Sequence, residues 1–206
     1  MPNTRPSPVP HRVPTVAVIG SAAAPSPELD TLCHTLGDAL MHAGWRLVTG
    51  GCGGVMAAVS RGARHSAAWQ EGRILGIVPS YQHSQANPYC DIVIPTGLQL
   101  GRNVLVVSSA EVVIALDGGA GTLSEIAMAW QLGRPVIALT TTGWAGELAG
   151  RRLDGRSDRA VIAAADVAQA IAHCRVLLDS RIGEAGDIGT GWRTRTAAAI
   201  AREVAP

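Results

Sequence analysis

The chain has 206 residues, 47% hydrophobic and 16% charged, with a formal net charge of +1. That suffices for one domain with a well-buried core and offers no broad field to recruit nucleic acid or an anionic membrane. All 17 basic residues are arginine, which excludes the Schiff-base lysine of pyridoxal-phosphate enzymes and the lysine of a nucleotide P-loop. Cys33, Cys52, Cys90 and Cys174 are widely spaced, with no C-x-x-C pair and no obvious histidine partners. Free thiols are expected, with neither a disulfide framework nor a zinc site, and no metal is assigned.

Residues 1–14, MPNTRPSPVPHRVP, are too proline-rich for a helix and lack the apolar centre of a signal peptide. No segment reaches the ~18 unbroken apolar residues of a membrane span. A cytoplasmic protein with a loose proline-rich tail is expected, followed by one domain over residues 15–178 and a C-terminal extension over 179–206 that could dock as a helix.

A first strand is predicted over residues 15–19, a β-branched and apolar run ending at Gly20 and Ser21. Ser26 is suited to cap the following helix, Pro27 to open it, and Glu28 and Asp30 to favour its positive end. Leu29, Leu32, Cys33, Leu36 and Leu40 recur at helical spacing until Gly44 stops the helix. A second strand, 45–48, runs into the glycine-rich turn Thr49-Gly-Gly-Cys-Gly-Gly54, which opens a helix through about residue 68. A third strand over 73–78 is followed by an irregular stretch containing Tyr81 and His83, read as solvated loop residues, and by a short strand over 92–94. Residues 96–103 lead into a helix to 110. A buried strand, Glu111-Val-Val-Ile-Ala-Leu116, then meets a second glycine-rich turn and a helix whose Leu123, Ile126, Ala127 and Trp130 share a face. A strand over 136–139, a broken polar segment over 140–159, a short strand over 161–163 and a helix capped by Asp166 complete the domain.

Strands alternating with helices through short glycine turns imply a parallel α/β sheet of Rossmann-like type with helices on both faces and right-handed crossovers. Ligands in such sheets bind beyond the C-terminal ends of the strands, where Gly20-Ser21, the turn holding Gly51, Gly53 and Gly54, and the turn at Gly118 all emerge. These residues are candidates to line one crevice.

The turn Asp117-Gly-Gly-Ala-Gly-Thr122 is not the G-x-G-x-x-G dinucleotide fingerprint. Its backbone N–H groups at a helix N-terminus, with the Thr122 hydroxyl, suit a monophosphate. Thr122-Leu-Ser-Glu125 reads equally as a capping box that satisfies the helix's own donors, and the glycines upstream favour a ligand. Arg102, a planar cation that never deprotonates, is a partner for phosphate or for developing negative charge. Cys52 reads as a small buried thiol, and Met56 as core or as a contact to a base.

The blocks LVTGGCGGVMAAVSRGA, NPYCDIVIPTGLQLGRN and DGGAGTLSEIAMAW, in this order, resemble the Lonely Guy (LOG) superfamily, once mislabelled lysine decarboxylases, over about residues 15–178. Within it they look most like the branch containing molybdenum-cofactor carrier proteins. The missing lysine independently rules out the decarboxylase label.

In the enzymes of that superfamily, P-G-G-x-G-T-x-x-E binds a nucleoside 5′-monophosphate, and its glutamate acts with an upstream arginine to release free base and ribose 5-phosphate. The resemblance implies that Gly118, Gly119, Gly121 and Thr122 hold the phosphate. It further implies that Glu125 engages the ribose or the attacking water and that Arg102 is the catalytic arginine. No cofactor is implied for the hydrolysis. The alternative it implies is a carrier that holds molybdenum cofactor without turning it over, and either protein would be a homodimer. Two places depart from the enzyme pattern: Asp117 replaces the proline, and Gly101-Arg102-Asn103 stands where the enzymes have M-H-x-R-K.

Overall fold

The computed structural model describes residues 12–155 and 158–182. Residues 1–11 of the predicted tail (1–14) and residues 183–206 of the predicted extension (179–206) lie outside the described residues. Among the described residues seven strands form one parallel sheet: β1 (Thr15–Gly20), β2 (Arg46–Thr49), β3 (Ile74–Val78), β4 (Ile92–Pro95), β5 (Val112–Leu116), β6 (Val136–Leu139) and β7 (Ile162–Ala164). Their order across the sheet is β4-β3-β2-β1-β5-β6-β7. The chain therefore builds outward from β1 to one edge and returns to β1's other side at β5. The point where strand order reverses, between β1 and β5, opens a crevice past the strands' C-terminal ends.

Among the described residues six α-helices cover the sheet: α1 (Pro27–His42), α2 (Val55–His65), α3 (Asn103–Ser108), α4 (Ala120–Gln131), α5 (Gly143–Leu148) and α6 (Val167–Ile182). Alternate side chains of each central strand go to opposite faces. Val16 and Val18 of β1 join Val112, Ile114 and Leu116 of β5 beneath α1, α2 and α6. Ala17 and Ile19 join Val113 and Ala115 beneath α3, α4 and α5. This two-sided burial is why the central strands read as continuous apolar runs rather than alternating ones. Each buried Val, Leu or Ile contributes about 1.5–3 kcal/mol.

The first helix forms as the sequence predicts. Ser26 Oγ accepts from the Leu29 amide at 3.3 Å, and Pro27 occupies the first turn. The helix after β2 is shorter than expected, ending at His65, because Ser66 turns to extended backbone and its hydroxyl accepts from the Ala68 amide. The helix expected to reach residue 110 stops at Ser108. On α4 the buried face is Thr122, Glu125, Ile126, Ala129 and Trp130, not the predicted stripe with Leu123 and Ala127. Two polar residues occupy the side turned toward the crevice, so a count of apolar positions mislocates the face. Asp166 caps α6 as predicted, its Oδ1 accepting from the Gln169 amide at 2.8 Å.

Among the described residues no helix is long and apolar enough to cross a membrane. Nor do these residues contain a cluster of three or more histidine, cysteine or acidic side chains able to hold a metal.

Candidate functional site

A cavity of about 380 Å³ occupies the switch point, a size within the usual ~300–1,000 Å³ of small-molecule sites. Gly20 and Ser21 reach it from the end of β1, Gly50 from the end of β2, Gly119 from the turn after β5, and Gly121 and Thr122 from the first turn of α4. Arg102 and Asn103 enter from the start of α3, and Glu125 from the second turn of α4. Three segments far apart in sequence thus meet because β1, β2 and β5 are neighbours whose C-terminal ends point the same way.

The glycines divide into two groups. A Cβ at Gly119 or Gly121 would meet nothing within 4 Å, so both face open space, and the amides at this end of α4 are free to approach a ligand closely. Gly51, Gly53, Gly54 and Gly118, also expected to bind, are absent from the cavity wall. Gly54, at φ +62°, packs against the carbonyls of Ser21 and Ala23, where a Cβ would come within 2.2 Å of the first. This glycine joins the first two turns and leaves the lining to Gly20, Ser21 and Gly50. Gly51 packs on Gly76 and Val78, Gly53 lies nearest the Ala22 carbonyl, and Gly118 sits under the Thr122 side chain.

The capping-box reading of Thr122 and Glu125 fails. α4 begins at Ala120 with Gly119 as its cap and no side-chain cap hydrogen bond, so Thr122 is already inside the helix. Glu125 instead faces Arg102, with Nη1 and Oε1 3.6 Å apart. Only 8% of Arg102 and 6% of Glu125 is exposed.

The guanidinium lies over Gly50, where any Cβ would fall 2.4 Å from Nη1. Its Nη1 donates to Asn103 Oδ1 at 3.0 Å, Nη2 makes a long contact of 3.8 Å to Cys52 Sγ, and Nε has no hydrogen-bond partner. Burial pushes Glu125 up to about 7, and the neighbouring Arg102 opposes that rise. A carboxyl poised near neutrality can both accept and give a proton at working pH.

This shift has a stability consequence. Unfolded, Glu125 titrates near the ordinary carboxylate value of 4.5, so between that value and about 7 the folded state holds a proton that the unfolded state has lost. Stability therefore falls as pH rises through this window. Against Glu125→Gln, which lacks the titration, the wild type is expected to lose roughly 2–3 kcal/mol between pH 5 and pH 8. Urea unfolding of both proteins across that range measures it, and parallel pH curves would refute it.

Asp117 turns away from the cavity. Its Oδ1 accepts from Thr142 Oγ1 at 2.8 Å, and its amide donates to Thr141 Oγ1 at 2.8 Å. Its φ is +50°, in the left-handed region that proline's ring forbids. The enzyme-type proline therefore cannot be placed here without rebuilding the turn. Asp117→Pro is expected to lower stability by about 3 kcal/mol or more, and a thermal melt within a degree of wild type would contradict that.

The apolar part of the cavity wall is contributed by Val18, Ile19, Met56 and Leu100. Met56 thus serves both as core and as cavity wall. Leu100, 80% exposed at the rim, had no periodic signal because it lies in a short 3₁₀ turn, Gln99–Arg102. Cys52 is half-buried and outside the cavity wall. Tyr81, 82% exposed, and His83 lie in the loop after β3, as solvated residues would.

Fold and crevice together define a Rossmann-like α/β domain. The chain belongs to the SLOG cluster4 family, whose pattern matches residues 13–177. It is 36% identical over 123 residues to the cytokinin riboside 5′-monophosphate phosphoribohydrolase of Mycobacterium marinum, a match spanning 58% of this chain and 63% of that protein. Among solved structures, the molybdenum cofactor binding protein of Rippkaea orientalis superposes with a TM-score of 0.69 at 34% identity, covering 83% of this chain and 98% of that one. The molybdenum cofactor carrier protein of Chlamydomonas reinhardtii gives 0.68 at 32% identity, covering 81% and 99%. The resemblance to the Lonely Guy superfamily is borne out.

Proposed function

We propose that this protein binds a phosphorylated, nucleotide-like small molecule in the switch-point cavity and hydrolyses the N-glycosidic bond of a nucleoside 5′-monophosphate. The observation that carries the catalytic part is the buried Glu125–Arg102 pair in the cavity wall, with Glu125 held near neutrality. The phosphate rests on the free amides at the start of α4 near Gly119 and Gly121, beside the Thr122 hydroxyl, where the helix's positive end favours an anion. The base lies toward Met56 and Leu100.

As the base departs with the bonding electrons, positive charge grows on the ribose, and the ionised Glu125 stabilises it. The same carboxylate accepts a proton from the water that attacks C1′, and the departing base takes up a proton from solvent. Arg102 holds Glu125 in register and keeps a fraction of it ionised. The reaction needs no cofactor, and the protein works as a homodimer.

A second reading is favoured by two observations. The carrier and binding proteins match over nearly their whole length, and Asp117 in its left-handed conformation departs from the enzyme pattern. In this reading the same cavity holds molybdenum cofactor as cargo, its phosphate on the same amides. Incubation with a panel of nucleoside monophosphates, including AMP and its N6-prenylated form, separates the two. Release of free base with ribose 5-phosphate supports the hydrolase. No base from any of them, with a pterin found by mass spectrometry on the purified protein, supports the carrier.

A further inference from the structure

We propose that Asn103 is a positioning residue, one amide side chain that clamps the Arg102 fork against Glu125 and ties it to the anion-binding turn of α4. The proposal rests on the reading of Arg102 and Glu125 as the working pair. Asn103 is 6% exposed and opens α3. Its Oδ1 accepts from Arg102 Nη1 at 3.0 Å, and its Nδ2 donates to Ser124 Oγ at 3.4 Å. Ser124 Oγ in turn donates to the Gly121 carbonyl at 2.6 Å. A continuous chain of hydrogen bonds therefore runs from the buried cation, across the gap between α3 and α4, to a glycine of the cavity wall.

Among the described residues, the bond to Asn103 is the shortest polar contact the guanidinium makes. Its other contacts are the 3.8 Å approach to the Cys52 thiol and the 3.6 Å ion pair, while Nε has no partner. Without the amide, the fork is held by a soft sulfur contact and by an attraction with no strong directional preference. Only a side chain that both accepts and donates can do what Asn103 does here. A lysine at this position could not accept from a guanidinium and would put a second positive charge beside the first. In this chain that position serves as a hinge pin between two helices instead.

The test follows the Glu125 carboxyl by carbon-13 NMR in the full chain, its signal assigned by its disappearance in Glu125→Gln. Arg102 is the one charged group among the described residues that acts on Glu125, so its withdrawal must raise the titration midpoint. If Asn103→Ala lets the fork retreat by about 2 Å, the midpoint moves up by about one pH unit at an effective dielectric of ~20. Ser124→Ala removes only the outer link, and its half-buried site is expected to tolerate the change, so it moves the midpoint in the same direction by less.

Circular dichroism checks that each variant folds, and Ser124→Ala alone decides if Asn103→Ala does not. A midpoint unchanged in the folded variants overturns the proposal. Calorimetry with AMP, run alongside, keeps the two readings apart. Failure of the wild type to bind AMP counts against the nucleotide reading, while the NMR titration still decides the role of Asn103.

Discussion

Replacing Glu125 by Gln is expected to abolish base release, with kcat falling by about 100-fold or more, the range lost when a positioned acid–base group is removed, while the protein still binds a phosphate-bearing ligand. The glutamine fills the same space on α4, so the cavity keeps its shape. The free amides at Gly119 and Gly121 lie a turn earlier and do not depend on the carboxylate. The change therefore separates holding the ligand from turning it over.

The same carboxyl dictates the pH profile. Because burial raises it to about 7, the ionised fraction grows from pH 6 to pH 8, and kcat is expected to climb across that interval in the wild type. Single-turnover assays with a nucleoside monophosphate, followed by chromatography of the released base, measure both effects. A Glu125→Gln protein as active as wild type would remove the catalytic assignment.

Gly119→Val is expected to weaken binding of a phosphorylated ligand at least about 100-fold, roughly 3 kcal/mol, whether the protein hydrolyses nucleotides or carries a pterin. The backbone at Gly119 is extended with φ −97°, on the negative-φ side that L-residues occupy. An added Cβ meets no protein atom within 4 Å, so the variant should fold with its thermal melt almost unchanged. What the isopropyl group does occupy is the space through which an anion reaches the amides of α4. Gly54→Val is a useful contrast. That glycine is pressed against the carbonyls of Ser21 and Ala23, so the damage there falls on the fold first. Calorimetric titration with AMP and a thermal melt on the same samples distinguish the outcomes. Full affinity in a folded Gly119→Val protein would place the ligand elsewhere.

Much of the fold could be read from the chain because each device is local. Ser26 before Pro27 starts a helix, Gly44 at φ +76° ends it, and the apolar runs around Ile19 and Ile114 are central strands with both faces covered. Element ends drifted where a side chain competed for the backbone, as at Ser66. The apolar stripe of α4 was misjudged because Thr122 and Glu125 are buried without being apolar. Burial of a carboxylate follows from what faces it and cannot be read from helical spacing.

Composition and the glycine turns by themselves determined a parallel α/β domain with no lysine chemistry and an amide-lined turn after β5, since backbone conformation at glycines and strand propensity are properties of short segments. Only the tertiary structure decided which turns open to solvent and which are welded together, because Gly119 and Gly54 are the same residue type held in different backbone conformations among different neighbours. It alone set Arg102 3.6 Å from Glu125, turned Asp117 toward Thr142, and stretched Asn103 between two helices. Those distances depend on how strands far apart in the chain lie side by side, and electrostatics acts through space rather than along the sequence.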